Sequence, residues 1–192
     1  MSSLSSSNVS CTLSISCTAI PFAHYPAIMV RSIKLAIGSF FGAGHLPKAP
    51  GTWGSLLFLP VIYLASLFGP AWILWPILAA TIFLSLWSSD ECVTKYGDDP
   101  GSFVMDECAG QTIPFLFTSF APATTLASTT SSDLWILATG FLLFRFFDIK
   151  KPLGINQLQN LPGKFGILAD DLLAGVYALV VLEGLKFTGW LF

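Results

Sequence analysis

Two pairs of adjacent carboxylates, Asp106-Glu107 and Asp170-Asp171, interrupt otherwise apolar runs of this chain, and a fifth carboxylate, Asp148, stands between them in sequence. A charged side chain in a hydrophobic segment is costly and marks a functional site by default. Asp106 is followed four residues later by Gly110, and Asp171 by Gly175. On a helix, residues four apart share a face, and a glycine there lets a second helix approach closely. Two such helices side by side would gather four carboxylates, which repel one another in a partly desolvated site unless cations intervene. Hard divalent ions with oxygen ligands, Mg²⁺ above all, are the natural counter-charge. The plainer alternative is that Asp170-Asp171 caps the last helix and complements its dipole.

Basic residues are interleaved with these acids. Arg145, Lys150 and Lys151 flank Asp148, and Arg145 stands three residues before Asp148, close enough on one helix face simply to pair with it. Cations beside a metal–carboxylate centre are also what phosphate binding requires, because charge must be neutralised on several oxygens. His45-Leu-Pro-Lys-Ala-Pro-Gly-Thr-Trp-Gly-Ser55 supplies Lys48, Thr52 and backbone amides just before a helix start, an arrangement suited to an anion. It lacks the order of a Walker A loop and alone reads equally well as a turn. From the residues, the chain is a metal-dependent enzyme acting on a phosphorylated substrate at a membrane surface.

Composition bounds the elements that must position these groups. The 192 residues are 54% hydrophobic and 10% charged, against about 25% charged in soluble domains, which points to an integral membrane protein. A net charge of −2 argues against nucleic-acid binding. Cys11, Cys17, Cys92 and Cys108 have no C-x-x-C spacing, so neither a zinc site nor a disulfide framework is indicated. Residues 1–30 read as a disordered, Ser-rich extension, or as a stretch upstream of a natural start at Met29, and 31–192 as one helical membrane domain.

From Ala49 to Ser89 no residue carries a formal charge. The run is too long for one span and suits two, since roughly 17–25 residues cross about 30 Å of hydrocarbon. Gly54–Phe68 and Ala71–Trp87 are expected as a transmembrane hairpin turning at Gly69-Pro70, with kinks at Pro60 and Pro76 and Trp72, Trp75 and Trp87 at the interfaces. A polar segment, 88–102, leads to a helix over about Phe103–Phe120 that crosses the membrane. Residues 121–133 form a loop, Leu134–Phe147 returns, and a last helix starts at Asp170-Asp171. No strand alternation occurs, so the fold is expected to be all-α, a compact helical bundle with three to five membrane-inserted helices. Arg31, Lys34 and Lys48 place the start of the first span in the cytoplasm. Parity then brings 45–52, 98–107, 145–151 and 164–171 to the same cytoplasmic face.

Four segments together resemble the phosphatidylglycerophosphatase A family of bacterial membrane phosphatases. They are Gly44-His-Leu-Pro-Lys-Ala-Pro-Gly-Thr-Trp-Gly-Ser55, Asp99-Pro-Gly-Ser-Phe-Val-Met-Asp-Glu-Cys-Ala-Gly110, Phe144-Arg-Phe-Phe-Asp-Ile-Lys-Lys-Pro152 and Gly166-Ile-Leu-Ala-Asp-Asp-Leu-Leu-Ala-Gly175. Their order and spacing match from about residue 35 to the end. Many members carry a second proline after Lys151-Pro152, where this chain has Leu153-Gly154. The resemblance implies Mg²⁺-dependent release of the terminal phosphate of phosphatidylglycerophosphate, in the bacterial inner membrane and facing the cytoplasm. On that reading Asp106, Glu107, Asp170 and Asp171, with Asp148, hold one or two ions. Lys48, Thr52, Arg145 and Lys151 bind the phosphate, while the acyl chains remain in the bilayer. Thr52 and Asp148 stay open as covalent nucleophiles. Alternatives are a phosphatase for another lipid phosphate monoester such as phosphatidate, a small cation-coupled transporter, whose ionisable groups would be spread through the membrane depth, or a scaffold subunit.

Overall fold

The structure, a computed structural model, describes residues 25–70, 72–97, 101–118, 120, 131–152, 154–155 and 164–189. Among them are six α-helices, two short 3-10 turns and no strand, so the all-α reading holds. The helices are α1 (Tyr25–Gly38), α2 (Pro50–Phe68), α3 (Leu74–Tyr96), α4 (Met105–Thr112), α5 (Ser131–Lys150) and α6 (Lys164–Phe187). Helix α1 begins inside the stretch expected to be a disordered extension; residues 1–24 of that stretch lie outside the described residues.

Among the described residues, three helices are long and apolar enough to cross a membrane: α2, α3, and Phe165–Phe187 of α6. At 1.5 Å per residue α2 extends about 28 Å and α3 about 34 Å, matching a hydrocarbon core of about 30 Å. Their outer faces carry exposed Leu57, Leu64, Phe68, Phe83 and Val180, as lipid contact requires. Exposed Trp72 and Trp75 mark the turn between α2 and α3. Pro60 sits inside α2, whereas Pro76 lies in the first turn of α3, where its missing N–H would have had no helical partner anyway.

Two sequence expectations change. Helix α3 continues through the segment read as polar, to Tyr96, because that turn is amphipathic. Ser88, Ser89 and Cys92 are buried, while Glu91 reaches Arg31 of α1 at 3.3 Å. The larger correction concerns the helix expected over Phe103–Phe120. Helix α4 has eight residues and gives way to a 3-10 turn at Ile113–Phe115, where Pro114 cannot extend the ladder. Eight residues rise only about 12 Å, so α4 does not cross. Its residues are buried except Glu107, which is partly buried, and α4 is the central plug against which α2, α3, α5 and α6 pack. An apolar run that looks like a span is here the inside of the bundle.

One end of the bundle collects the polar helix termini. The start of α2 meets Glu107 of α4, and the end of α3 is tied to the loop before α2 by a His45 Nε2–Tyr96 hydroxyl hydrogen bond of 3.0 Å. The Val104 N–H donates to the Gly38 carbonyl at 2.9 Å, fixing the entry to α4 against the end of α1. A Cβ on Gly44 would overlap the Ser102 carbonyl, so the loops before α2 and α4 touch backbone to backbone.

Candidate active site

The crossing of α4 and α6 brings the two acidic pairs together as the glycine spacing predicts. A Cβ on Gly110 would stand 2.6 Å from the Asp171 carbonyl oxygen, and one on Gly175 would overlap the carbonyl of Gly110. Each glycine therefore admits the other helix's backbone. Helix α6 begins at Lys164, so Asp170 and Asp171 lie in its second turn and beyond, not at its start, and no acid stands in its first turn. The dipole-capping explanation for this pair fails.

Asp106, Glu107, Asp148, Asp170 and Asp171 all line one cavity of about 90 Å³, with Lys151, Gly101, Phe103 and Ile167 completing its wall. Asp106, Asp148, Asp170 and Asp171 are each no more than 9% exposed. Three of the five carboxylates are ion-paired. The Arg145 guanidinium donates through Nη1 to Glu107 Oε2 and to Asp148 Oδ2, both at 2.7 Å. Lys151 Nζ meets Asp170 Oδ2 at 2.5 Å. Ser55 Oγ donates to Glu107 Oε2 at 3.2 Å. Asp106 Oδ1 accepts the Glu107 N–H at 3.0 Å and Asp170 Oδ1 the Asp171 N–H at 3.1 Å. Among the described side chains, Asp106 and Asp171 have no cationic partner. Burial, reinforced by the neighbouring Glu107 charge, pushes the Asp106 carboxyl well above the usual carboxylate range. Burial also raises Glu107, against the pull of Arg145 and the Ser55 hydrogen bond, to about 7.

The sequence-predicted cations are distributed unevenly. Lys151 lines the cavity. Arg145 stands behind it, its Nη1 shared between Glu107 and Asp148, because the three-residue spacing allows the simple pairing. Its buried Nε has no partner among the described residues. Lys48 is exposed and outside the cavity wall, with left-handed backbone at φ 62°. Thr52 is partly buried in the first turn of α2, beside Gly51, and also stands outside the wall.

Two participants escaped the sequence reading. A Cβ on Gly51 would fall on the Glu107 carboxylate, so glycine is what allows the first turn of α2 to lie against it. Ser55, four residues on and therefore on the same face, supplies the hydroxyl. The Gly51–Ser55 spacing was the available signal. Gln111, one turn after Glu107, is fully buried, and neither amide atom has a partner among the described residues. Among the described residues, no three Asp, Glu, His or Cys side chains already stand close enough together to hold a metal ion.

Fold and site together define a helical membrane protein with a small, acid-lined, lysine-flanked cavity at one end of its bundle. Residues 36–186 match the model of the family described as Phosphatidylglycerophosphatase A, and the chain belongs to that family, an enzyme of the phosphatase class. It is 38% identical to the Phosphatidylglycerophosphatase A of Haemophilus influenzae over 157 residues, covering 80% of this chain and 87% of the relative. To the Escherichia coli protein of the same name it is 35% identical over 151 residues, 77% and 79% of the two chains. A Bacteroides thetaiotaomicron protein named Putative phosphatidylinositol-3-phosphatase is 34% identical over 157 residues, 78% of this chain and 91% of that one. No solved structure matches.

Proposed function

We propose that this phosphatase hydrolyses the terminal phosphate monoester of phosphatidylglycerophosphate, giving phosphatidylglycerol and phosphate, in a Mg²⁺-dependent reaction at the cytoplasmic face of the bacterial inner membrane. The observation that carries the reading is the charge balance of the cavity: five carboxylates on three helices, two of them buried without a cationic partner among the described side chains. Such a donor set suits a hard divalent cation and is unfavourable without one. Asp106, Glu107, Asp170 and Asp171, with Asp148 beside them, would hold the ion; when bound it supplies Lewis acidity and an activated water.

The remaining steps belong to the chain's own side chains. Lys151, at the cavity wall, binds a phosphate oxygen; it exchanges its contact with Asp170 for the substrate as the head group enters. Arg145 and Ser55 hold Glu107 in one orientation, so that the carboxylate is presented to the cavity without a search through rotamers. Lys48 and Thr52, at the loop and first turn before the cavity, serve the outer head group or the membrane surface. Arg31 and Lys34 lie towards the same end as the cavity, through Glu91 and the Trp87 ring, and a basic rim there suits a cytoplasmic orientation.

The Bacteroides relative's name favours a second reading, in which the same cavity removes phosphate from an inositol lipid. Purified protein is to be assayed for phosphate release from phosphatidylglycerophosphate, phosphatidate and phosphatidylinositol 3-phosphate, each with Mg²⁺ and with chelator. The proposal expects phosphatidylglycerophosphate to be cleaved fastest and only with the metal. Preference for the inositol lipid supports the second reading, and undiminished turnover in chelator overturns the metal.

A further inference from the structure

A second cavity, of about 770 Å³, opens between α2 and α5. Its volume falls within the range of sites that hold small organic ligands. Leu56, Pro60 and Leu64 form one wall, and Leu134, Ala138 and Phe141 belong to the other; the lining is apolar apart from Tyr63. Leu134 and Leu142 bound a stretch of α5 about 12 Å long at 1.5 Å per residue. Exposed apolar surface is ordinary on a membrane protein, but a concave slot between two helices is not required for lipid contact.

The register of the two walls relates the groove to the carboxylate centre. On α2, Leu59 lies four residues after Ser55, which donates to Glu107. On α5, Phe141 lies four residues before Arg145, the other partner of Glu107. Positions four apart share a helix face, so both walls run into the groups that hold Glu107. The groove therefore ends within one helical turn of the carboxylate centre on each side. A ligand that fits both places has a charged head and a long apolar tail.

We propose that the α2–α5 groove seats one acyl chain of the substrate lipid, and so draws substrate out of the bilayer and sets its depth relative to the cavity. This rests on the lipid phosphatase reading above. Substrate preference is then partly a matter of chain length, independent of the head group.

Ala138 is exposed, lines the groove and takes no part in the carboxylate centre, so Ala138→Trp fills the slot without disturbing the site. Val180→Trp, at an exposed position on α6 that is outside the groove, is the control for bulk alone. Kinetics are read on dioleoyl and on dihexanoyl phosphatidylglycerophosphate in detergent. Ala138→Trp is expected to raise KM for the dioleoyl substrate about tenfold, the equivalent of 1.4 kcal/mol, with kcat and the dihexanoyl kinetics unchanged. Val180→Trp is expected to alter neither. Equal effects on both substrates, or none on either, overturn the proposal. A change of oligomeric state in Ala138→Trp also overturns it, since the groove would then belong to a second copy of the chain. Native mass spectrometry of the purified protein gives a readout free of turnover. Wild type should retain one diacyl phospholipid that Ala138→Trp has lost, and equal retention refutes the groove even if both substrates proved inert and the phosphatase reading itself failed.

Discussion

Gly110→Ala tests whether the α4–α6 crossing is what assembles the carboxylate cavity. The added methyl would sit 2.6 Å from both the Asp171 carbonyl oxygen and Phe144 Cε2, against 3.4 Å or more for ordinary contact. Neither neighbour is a free chain end: one is helix backbone and the other a fully buried ring. The helices must therefore part by nearly an ångström, carrying Asp106 away from Asp171. Overpacking of this kind costs about 1–3 kcal/mol, partly offset by the roughly 1 kcal/mol that alanine gains over glycine within a helix. Net destabilisation should be small, about 0–2 kcal/mol. Turnover should fall far more, since a displacement of about 1 Å can cost on the order of 10²-fold. Thermal unfolding in detergent and phosphate release separate the two effects. Gly184→Ala on the same α6 is the matched control: nothing lies within 4 Å of its added Cβ. It should gain up to about 1 kcal/mol and keep full activity. Wild-type turnover in Gly110→Ala would refute the reasoning.

Gly51→Ala should push the Glu107 carboxylate off Ser55 and Arg145. Loss of a charge-assisted hydrogen bond predicts about 1.5–3 kcal/mol of destabilisation with strongly reduced turnover, checked by the same two assays. Arg145→Ala leaves Glu107 and Asp148 without their shared cation and should cost about 3–5 kcal/mol, so that the melting temperature drops sharply; a stable variant would mean the pair is dispensable. In chelator, Glu107 titrates near 7 when folded, against an ordinary value of 4.5. The folded state then binds more protons than the unfolded between those values. The associated stability is present below pH 4.5 and lost as pH rises through about 7. The melting temperature of the chelated protein should fall across that window, and a rising curve contradicts the shift.

How far the sequence carries depends on what is local. Glycine four residues after a carboxylate is a local pattern with one geometric meaning, and Gly110 and Gly175 meet as it requires. Charge-free length likewise locates α2 and α3 as long helices, and the positions of the polar ends bring 106, 107, 148, 170 and 171 to one cavity. The course of α4 is not local. Its apolar run reads as a span, yet only its packing against four other helices shows that the run faces protein instead of lipid. The same limit hides the Ser55–Glu107 contact, which joins residues 52 positions apart. It also hides the reach of Arg145 to Glu107 on another helix, whereas its pairing with Asp148, three residues on, is local and legible.

The central claim is that the buried pair without described cations, Asp106 and Asp171, belongs to the catalytic cavity. Phosphate release from phosphatidylglycerophosphate by Asp171→Asn tests it most directly, with the melting temperature as a check on folding. Removing one buried charge should leave the fold intact or firmer, because its desolvation is relieved. Turnover should fall by ~100-fold or more, the scale on which a single electrostatic group at a reaction centre acts. Wild-type turnover with unaltered Mg²⁺ dependence would contradict the account.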